Sequence, residues 1–455
     1  MAEPAVIDRA QAPAPAGGNG ALRPLAAMPG PKWPPVVQSL VFLSNPVRFA
    51  EWARRRYGPV FHFRSAVLGD MVYVSDPAIV KQIFTGDPHK MRAGAANQPL
   101  KPVTGPHSIL LLDGERHMRM RKLMLPPFHG EAIEHYGELI SEIAEREIDR
   151  FPIGRPFAIR DHTQAITLDV IIRAVFGIDE AERQRELRRI LPVLLDLRPS
   201  VVFERTRIDL GPRSPWGRFV RAKRRTDEIL YDEMARRRER GDSAERDDVF
   251  SLLLAARDEQ GNPLSDEELR DELLTLLAAG HETTATALAW VFERLVRHPD
   301  KMARLREDIT SGAGSYLEAT IKETLRVRPV IMDVGRKTSE SVELAGYEIP
   351  PGIILTPSIG LVHLLPEIYP DPHEFRPERF LGEGAPEPYT WIPFGGGVRR
   401  CIGAAFAQYE MQLVIPAILR RVDLRAARSK PERQSVRGVT LAPSRGGEVI
   451  ASKSE

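Results

Sequence analysis

The stretch SDEELRDELLTLLAAGHETTATALAWVFERLVRHP, from Ser265 to Pro299, constrains the fold more than any other part of the chain. Ser265 and Glu268 have the spacing of a capping box, and Pro299 reads as a stop signal. A continuous helix over this interval spans roughly 50 Å, about the width of a whole globule. Its centre is apolar nearly all round, which predicts burial through the middle of the molecule. The rest of the chain has to wrap around it.

The 455 residues suggest about three domains on a length prior that large single-core enzymes often break. Hydrophobic residues make up 42%, enough for a sizeable core. Lys+Arg number 64 and Asp+Glu 62, a net charge of 64 − 62 = +2, which argues against a dedicated nucleic-acid binder. No apolar run of about 18 residues occurs, so no transmembrane anchor is expected. The N-terminus lacks a basic region followed by an apolar one, so it is not a secretory signal. Residues 1–25, rich in Ala and Pro, read as a disordered tail, and 26–455 as a single domain of a cytoplasmic protein.

"YGPVFHFR" and "MVYVS" form a predicted hairpin, followed by a helix capped by Asp76 with Pro77 at its first position. Helical patterns dominate from about 115 to 330. Residues 341–358 read as strand, a turn at Pro350–Gly352, then strand. Residues 365–394 form a long proline-rich loop, unusual enough to suggest function. The fold class is therefore mainly α with a small β-rich part built from both ends of the chain.

Cys401 is the chain's one cysteine, which excludes an intrachain disulfide, an iron–sulfur cluster and a Cys-rich zinc site. It sits in "FGGGVRRCIG" just before a helix, among four glycines and two arginines. Glycines let backbone approach a flat ligand closely, and N–H groups there can stabilise a thiolate. A buried inert cysteine is the bland alternative. Five fixed positions, Phe394, Gly397, Arg399, Cys401 and Gly403, weigh against it.

This pattern resembles the haem-binding loop of the cytochrome P450 family, and three further motifs match in order, so the resemblance covers about residues 30–450. It implies the cytochrome P450 fold, with the long helix crossing the molecule over the haem, and a haem b cofactor (iron protoporphyrin IX). Cys401 would be the thiolate ligand to iron, and Phe394, Gly395 and Ala279 would lie against the haem. "DGERHMRMRK" places His117 and Arg121 at i, i+4 on one helix face. With Arg336 and Arg399 they would clamp the haem propionates.

"AAGHETTA" is similar to the family's oxygen-activation motif. Thr283 would hydrogen-bond the iron-bound dioxygen and Glu282 would relay protons from solvent. His281–Glu282 is not a zinc motif, since alanine stands at 285. "KETLR" puts Glu323 and Arg326 at i, i+3, and the family pattern joins them to Arg379 as a structural triad bracing the cysteine loop. Between "LREDI" and "KETLR" the connection is shorter than in many relatives, though no catalytic position is lost.

The expected activity is monooxygenation, inserting one oxygen atom from O2 into a hydrophobic small molecule. Leu274, Leu277, Ala278, Ile331, Met332 and Val334 are the candidate lining residues, aliphatic and without a charge partner. Core packing accounts equally well for each leucine taken alone. Terpenoid, steroid, fatty acid and polyketide substrates all remain open.

Electrons would come from a separate ferredoxin with its ferredoxin reductase. Arg116, Arg119, Lys122 and Arg400 could form a docking patch, with solvated surface charge nearly as good a reading. A peroxide-using, isomerase or dehydratase haem-thiolate enzyme is the alternative within enzymes. A non-catalytic haem ligand sensor is the alternative outside them. The Glu282–Thr283 pair favours the oxygen-activating form.

Overall fold

Ser265 Oγ accepts from the Glu268 N–H at 3.1 Å, and Glu268 Oε2 accepts from the Ser265 N–H at 3.0 Å. This capping box starts the central helix, Asp266–Leu295. The structure, a computed structural model, describes residues 21–196, 211, 213–241, 246–382 and 386–453. The helix ends four residues before Pro299, which instead occupies the first turn of the next helix, Pro299–Ser311. Proline suits that position because its missing N–H would be unpaired there anyway.

From Thr284 to Leu295 every residue of the central helix is buried. It packs along Ile159–Val170 and against Ser315–Val327 and Ala404–Arg421. One large apolar cluster joins these helices. Among the described residues no helix is long and apolar enough to cross a membrane.

The β-rich part draws on both halves of the chain, as expected. A five-stranded sheet runs in the order Val60–Ser65, Gly69–Val74, Ile354–Pro357, Arg336–Thr338, Met91–Arg92. Asp76 caps the following helix, accepting from the Ala78 and Ile79 N–H groups at 2.9 and 3.1 Å.

Two expectations need correction. The 341–358 segment is not one hairpin turning at Pro350–Gly352. Val342–Leu344 pairs with Tyr347–Ile349 around a tight turn in which Ala345 and Gly346 both have positive φ. Ile354–Pro357 then leaves for the five-stranded sheet. Of the tail expected over residues 1–25, residues 1–20 lie outside the described residues. Arg23–Pro24 are instead tied down, paired in parallel with Tyr347–Glu348, and the Arg23 guanidinium lies 4.1 Å over the Tyr347 ring.

The short connection before "KETLR" is compact. Gly312 and Gly314 both adopt left-handed φ, and the Asp308 carboxylate accepts from the Tyr316 and Leu317 N–H groups at 3.1 Å each. Asp308 thus caps the next helix in place of a longer linker.

Candidate functional site: a cysteine loop beneath the central helix

The loop carrying Cys401 is shaped by a close approach. At Gly397 φ is 64°, and a Cβ would stand 1.9 Å from the Phe84 carbonyl oxygen. At Gly396 a Cβ would meet the Phe84 ring at 2.5 Å. No other residue type fits at Gly397, on conformation and on space together. The Cys401 N–H then donates to the Phe394 carbonyl at 2.9 Å, and helix Ala404–Arg421 begins three residues later.

Cys401 has accessible surface yet is hemmed in by protein. Burial pushes its thiol up, while the Gly403 N–H and the Arg400 and Arg121 charges favour the thiolate. A group on the wall of an internal cleft behaves this way. The central helix shows the matching feature. Within its buried middle, Ala279 is exposed and Ala278, Gly280, Glu282 and Thr283 are half-buried. The Thr283 hydroxyl donates to the Ala279 carbonyl at 2.5 Å, and the helix stays continuous there. A Cβ at Gly280 would meet Ile171 Cδ1 at 3.1 Å, so this glycine lets a neighbouring π-turn, Ile171–Val175, pack closely.

His117, Arg121, Arg336 and Arg399 converge, as their resemblance implied. His117 is buried and pushed down to about 3, by burial first and then by Arg399, Arg121 and Arg336. Burial lowers Arg336 to about 10, with Arg399 adding repulsion and Asp113 opposing it. Burial likewise lowers Arg399 to about 10. Arg399 donates to the carbonyls of Ile109, at 3.1 Å, and Leu112, and to Asp113 Oδ1 at 2.6 Å. Asp113 offsets Arg399 and Arg336, while its carboxylate also accepts from the Gly94 and Ala95 N–H groups at 2.8 and 3.1 Å. Arg121 makes no hydrogen bond or ion pair to a described residue, and Arg336 donates only to the neighbouring Gly335 carbonyl, at 2.9 Å. Such a cluster is short of negative charge, which two carboxylates of a ligand would supply. The donor set, the accessible thiol and the exposed helix segment together fit a haem.

Glu282 lies about 60° round the helix from Ala279, and its carboxylate is engaged by other elements. It is ion-paired with Arg160, accepts from Gln164 at 2.8 Å, and accepts from the Thr440 hydroxyl at 3.3 Å. The neighbouring His281 is buried against Thr167, 2.8 Å from its Nδ1, and burial lowers it to about 4.

Glu323 and Arg326 are fully buried, with two hydrogen bonds between them at 2.7 and 2.8 Å. Arg379 Nε lies 3.4 Å from Glu323. Arg326 also donates to the carbonyls of His363, Pro372 and Glu374. The expected triad is assembled, and it reaches the loop that leads to Cys401.

The substrate-lining expectation divides. Leu274 and Leu277 have no accessible surface and belong to the main core. At 3.6 residues per turn, Leu277 points about 160° from Ala279 and Leu274 about 140°, so neither shares its exposed stripe. Leu276, about 60° away and 8% exposed, is the leucine nearest that stripe. Met332 is buried among Phe61, Phe63 and Tyr73, while Ala278, Ile331 and Val334 keep partial exposure.

The docking expectation also changes. Arg119 pairs with Asp258 at 2.7 Å and Glu268 at 3.2 Å, and Lys122 with Glu259 at 2.6 Å. Arg116 and Arg400 have no such acidic partner among the described residues. Asp113, Arg160 and His363 were missed because only contacts between distant elements give them a role. Asp113 alone had a local signal, as the residue just before the His117 helix.

The family model described as Cytochrome P450 matches residues 28–449. The chain is 43% identical over 427 residues to cytochrome P450 135B1 of Mycobacterium tuberculosis, covering 92% of this chain and 90% of that one. It is 39% identical over 424 residues to cytochrome P450 135A1 of the same organism, covering 92% and 93%. Among solved structures it is similar to "Retinoic acid bound cyanobacterial CYP120A1", with TM-score 0.80, 25% identity, and coverage of 92% of this chain and 96% of that one.

Proposed function

The chain belongs to the cytochrome P450 family of haem-thiolate monooxygenases, oxidoreductases whose cofactor is haem b, and from that premise we propose how its residues divide the work. Cys401 would hold the iron as thiolate. His117, Arg121, Arg336 and Arg399 would hold the two propionates. When bound, haem supplies the activation of O2, with two electrons and two protons, that puts one oxygen atom into a C–H bond.

The protein's own groups handle protons and position. The Thr283 hydroxyl, once released from the Ala279 carbonyl, presents a proton on the accessible side of the central helix. Glu282 is one residue away and anchored by Arg160, so a carboxylate turning between Arg160 and Thr283 carries protons inward from solvent. Arg121, Arg400 and the Gly403 N–H favour the thiolate form of Cys401.

The substrate is a hydrophobic small molecule, received beside Ala278, Ala279, Ile331 and Val334. The solved relative bound to retinoic acid supports an apolar ligand class. Electrons arrive from a separate ferredoxin and its reductase, docking beside Arg116 and Arg400. That face holds a cleft of about 660 Å³, which includes Arg116, Val398 and the half-exposed Met118.

One observation carries this reading: beside the cysteine loop Arg121, Arg336 and Arg399 gather around buried His117, and of the three only Arg399 has an ion pair among the described residues, with Asp113. The test is to load the purified protein with haem, reduce it, and add carbon monoxide. The red-shifted band of thiolate-ligated ferrous haem is expected, and should disappear in Cys401→His. With a ferredoxin–reductase pair, apolar compounds that shift the ferric band should then be converted to monooxygenated products. Absence of the band would overturn the assignment of Cys401. A band without turnover of any binding compound would overturn the monooxygenase reading for the sensor alternative.

A further inference from the structure

The Pro35–Ser44 helix is built inside out. Two of its three inward residues are polar: Gln38 is 0% exposed and Ser39 is buried beside it, with Phe42 the apolar third. Gln38 donates to the carbonyls of Pro31 and Trp33 at 3.0 and 2.7 Å and accepts from the Arg64 N–H at 2.9 Å. Ser39 Oγ accepts from the Ala66 N–H at 2.8 Å, fastening the helix to the turn of the first hairpin. Its outward residues are aliphatic: Val36 is 59% exposed, Leu40 64% and Leu43 62%, with Val37 and Val41 between them. The hairpin turn adds exposed Val67 and Leu68. Scattered exposed leucines are ordinary, but seven aliphatic side chains on two fastened elements are not.

The surroundings identify what this face meets. Trp33 and Trp52 stack at 5.3 Å with both rings partly exposed, an amphipathic rim of the kind found at membrane interfaces. No acidic residue occurs between Asp8 and Glu51, while Lys32, Arg48, Arg54, Arg55 and Arg56 fall in this stretch or directly after it. Lys32 and Arg48 are exposed and make no ion pair with a described residue. Arg54 is paired with Glu367 at 2.6 Å and Arg55 with Glu51 at 3.6 Å, and Asp70, at the base of the hairpin turn, lies 3.2 Å from His62.

We infer that this face is a lipid-contacting surface, seating the protein on an anionic membrane interface without crossing it. An apolar helix face flanked by cations and tryptophans matches that environment in both its zones. A two-fold contact between copies would bring Lys32 and Arg48 of each copy towards like charge. Residues 1–20 offer only Met1, Val6 and Ile7 as large apolar side chains, too few to cover seven. Beneath the face, Phe42 packs on the aromatic cluster that also holds Met332.

The test is co-sedimentation of the full-length haem-loaded protein with phosphatidylcholine vesicles, with and without phosphatidylglycerol, at low and high salt. Binding is expected on the anionic vesicles, weakening with salt. Leu40→Glu with Leu43→Glu should lower it at least tenfold while the thermal midpoint and the carbon-monoxide band stay unchanged. Lys32→Ala and Arg48→Ala should each weaken binding about fivefold on anionic vesicles and leave neutral ones unaffected.

Three results would overturn the inference. One is no binding to anionic vesicles. Another is binding indifferent to the double leucine substitution. The third is a dimer, seen by sedimentation velocity without lipid, that the same substitution dissolves. Val36→Ser with Val37→Ser serves as a milder second variant should the charged pair unfold.

Discussion

The Ile392 N–H donates to His363 Nε2 at 2.8 Å, and through that bond the buried ion pair reaches the cysteine loop. Arg326 holds the His363 carbonyl at 2.8 Å, and the Ile392 carbonyl in turn accepts from the Gly395 N–H at 2.9 Å. His363 is fully buried and pushed down to about 3, by burial first and then by Arg326, so it is neutral and its Nε2 is free to accept. His363→Leu leaves the Ile392 N–H buried without a partner, at a cost of about 1–3 kcal/mol. The expected result is a lower thermal midpoint and a smaller fraction of the thiolate-type carbon-monoxide band. Equal loss of stability with a full band would show that the histidine braces the fold but not the loop.

Arg326 makes five hydrogen bonds: two to Glu323 and three to carbonyls of the loop ahead of the cysteine. A lysine cannot reproduce that planar fork. Arg326→Lys should cost about 3–5 kcal/mol, because Glu323 is left buried with its charge poorly paired. Expression should yield haem-free or aggregated protein. Recovery of stable holoprotein would mean that the carbonyl bonds, not the guanidinium geometry, suffice.

The parts of this site legible in the sequence are those whose spacing is fixed within a few residues. Glu323–Arg326, His117–Arg121 and the cysteine loop each lie on one helix or one turn, so their mutual geometry follows from local structure. Asp113, Arg160 and His363 act across intervals of more than a hundred residues, or through a backbone carbonyl, and no periodicity encodes that. The lining leucines failed for a related reason. A pattern apolar all round says that a helix is buried, but not which side faces the cleft. The turn at Ala345–Gly346 was hidden because Pro350–Gly352 is the stronger local signal.

Asp333 lies between two expected lining residues, accepts from the Tyr73 hydroxyl at 3.0 Å, and is raised by burial to about 6. Its folded value lies above its unfolded one, so the folded state binds the proton more tightly. That stabilisation is fully present below about pH 4 and is lost as pH rises through about 6. Asp333→Asn keeps an acceptor for Tyr73 without the charge. Its thermal midpoint relative to the native chain should therefore be higher at pH 7.5 than at pH 4.5, by the equivalent of about 2 kcal/mol. A difference independent of pH would place the titration elsewhere.

Charge-guided docking should be carried by Arg116 and Arg400, since Arg119 and Lys122 are already engaged by Asp258, Glu268 and Glu259. Arg116→Glu should slow reduction by an acidic ferredoxin several-fold at low salt, with the difference shrinking as salt screens it. Glu259→Gln releases Lys122 and should speed the same step. If Glu259→Gln slows it, the acidic turn is itself part of the contact.

Thr283 and Glu282 occupy different sides of one turn: the hydroxyl is bonded to the Ala279 carbonyl, and the carboxylate is held by Arg160 and Gln164. If the pair moves protons, the two substitutions should fail differently. Thr283→Ala removes the hydroxyl on the accessible side, so consumption of reducing equivalents should continue while peroxide replaces product. Glu282→Gln keeps the side chain's shape, loses one of the two acceptor oxygens that Arg160 and Gln164 use, and cannot carry a proton, so turnover should fall by about 10²-fold, the low end of general acid–base contributions. It should also show an increased solvent isotope effect. Arg160→Gln frees Glu282 without removing it, and should leave coupling intact while altering the pH profile. Unchanged product yield per electron in Thr283→Ala would remove that hydroxyl from the proton route, whatever the other two variants do.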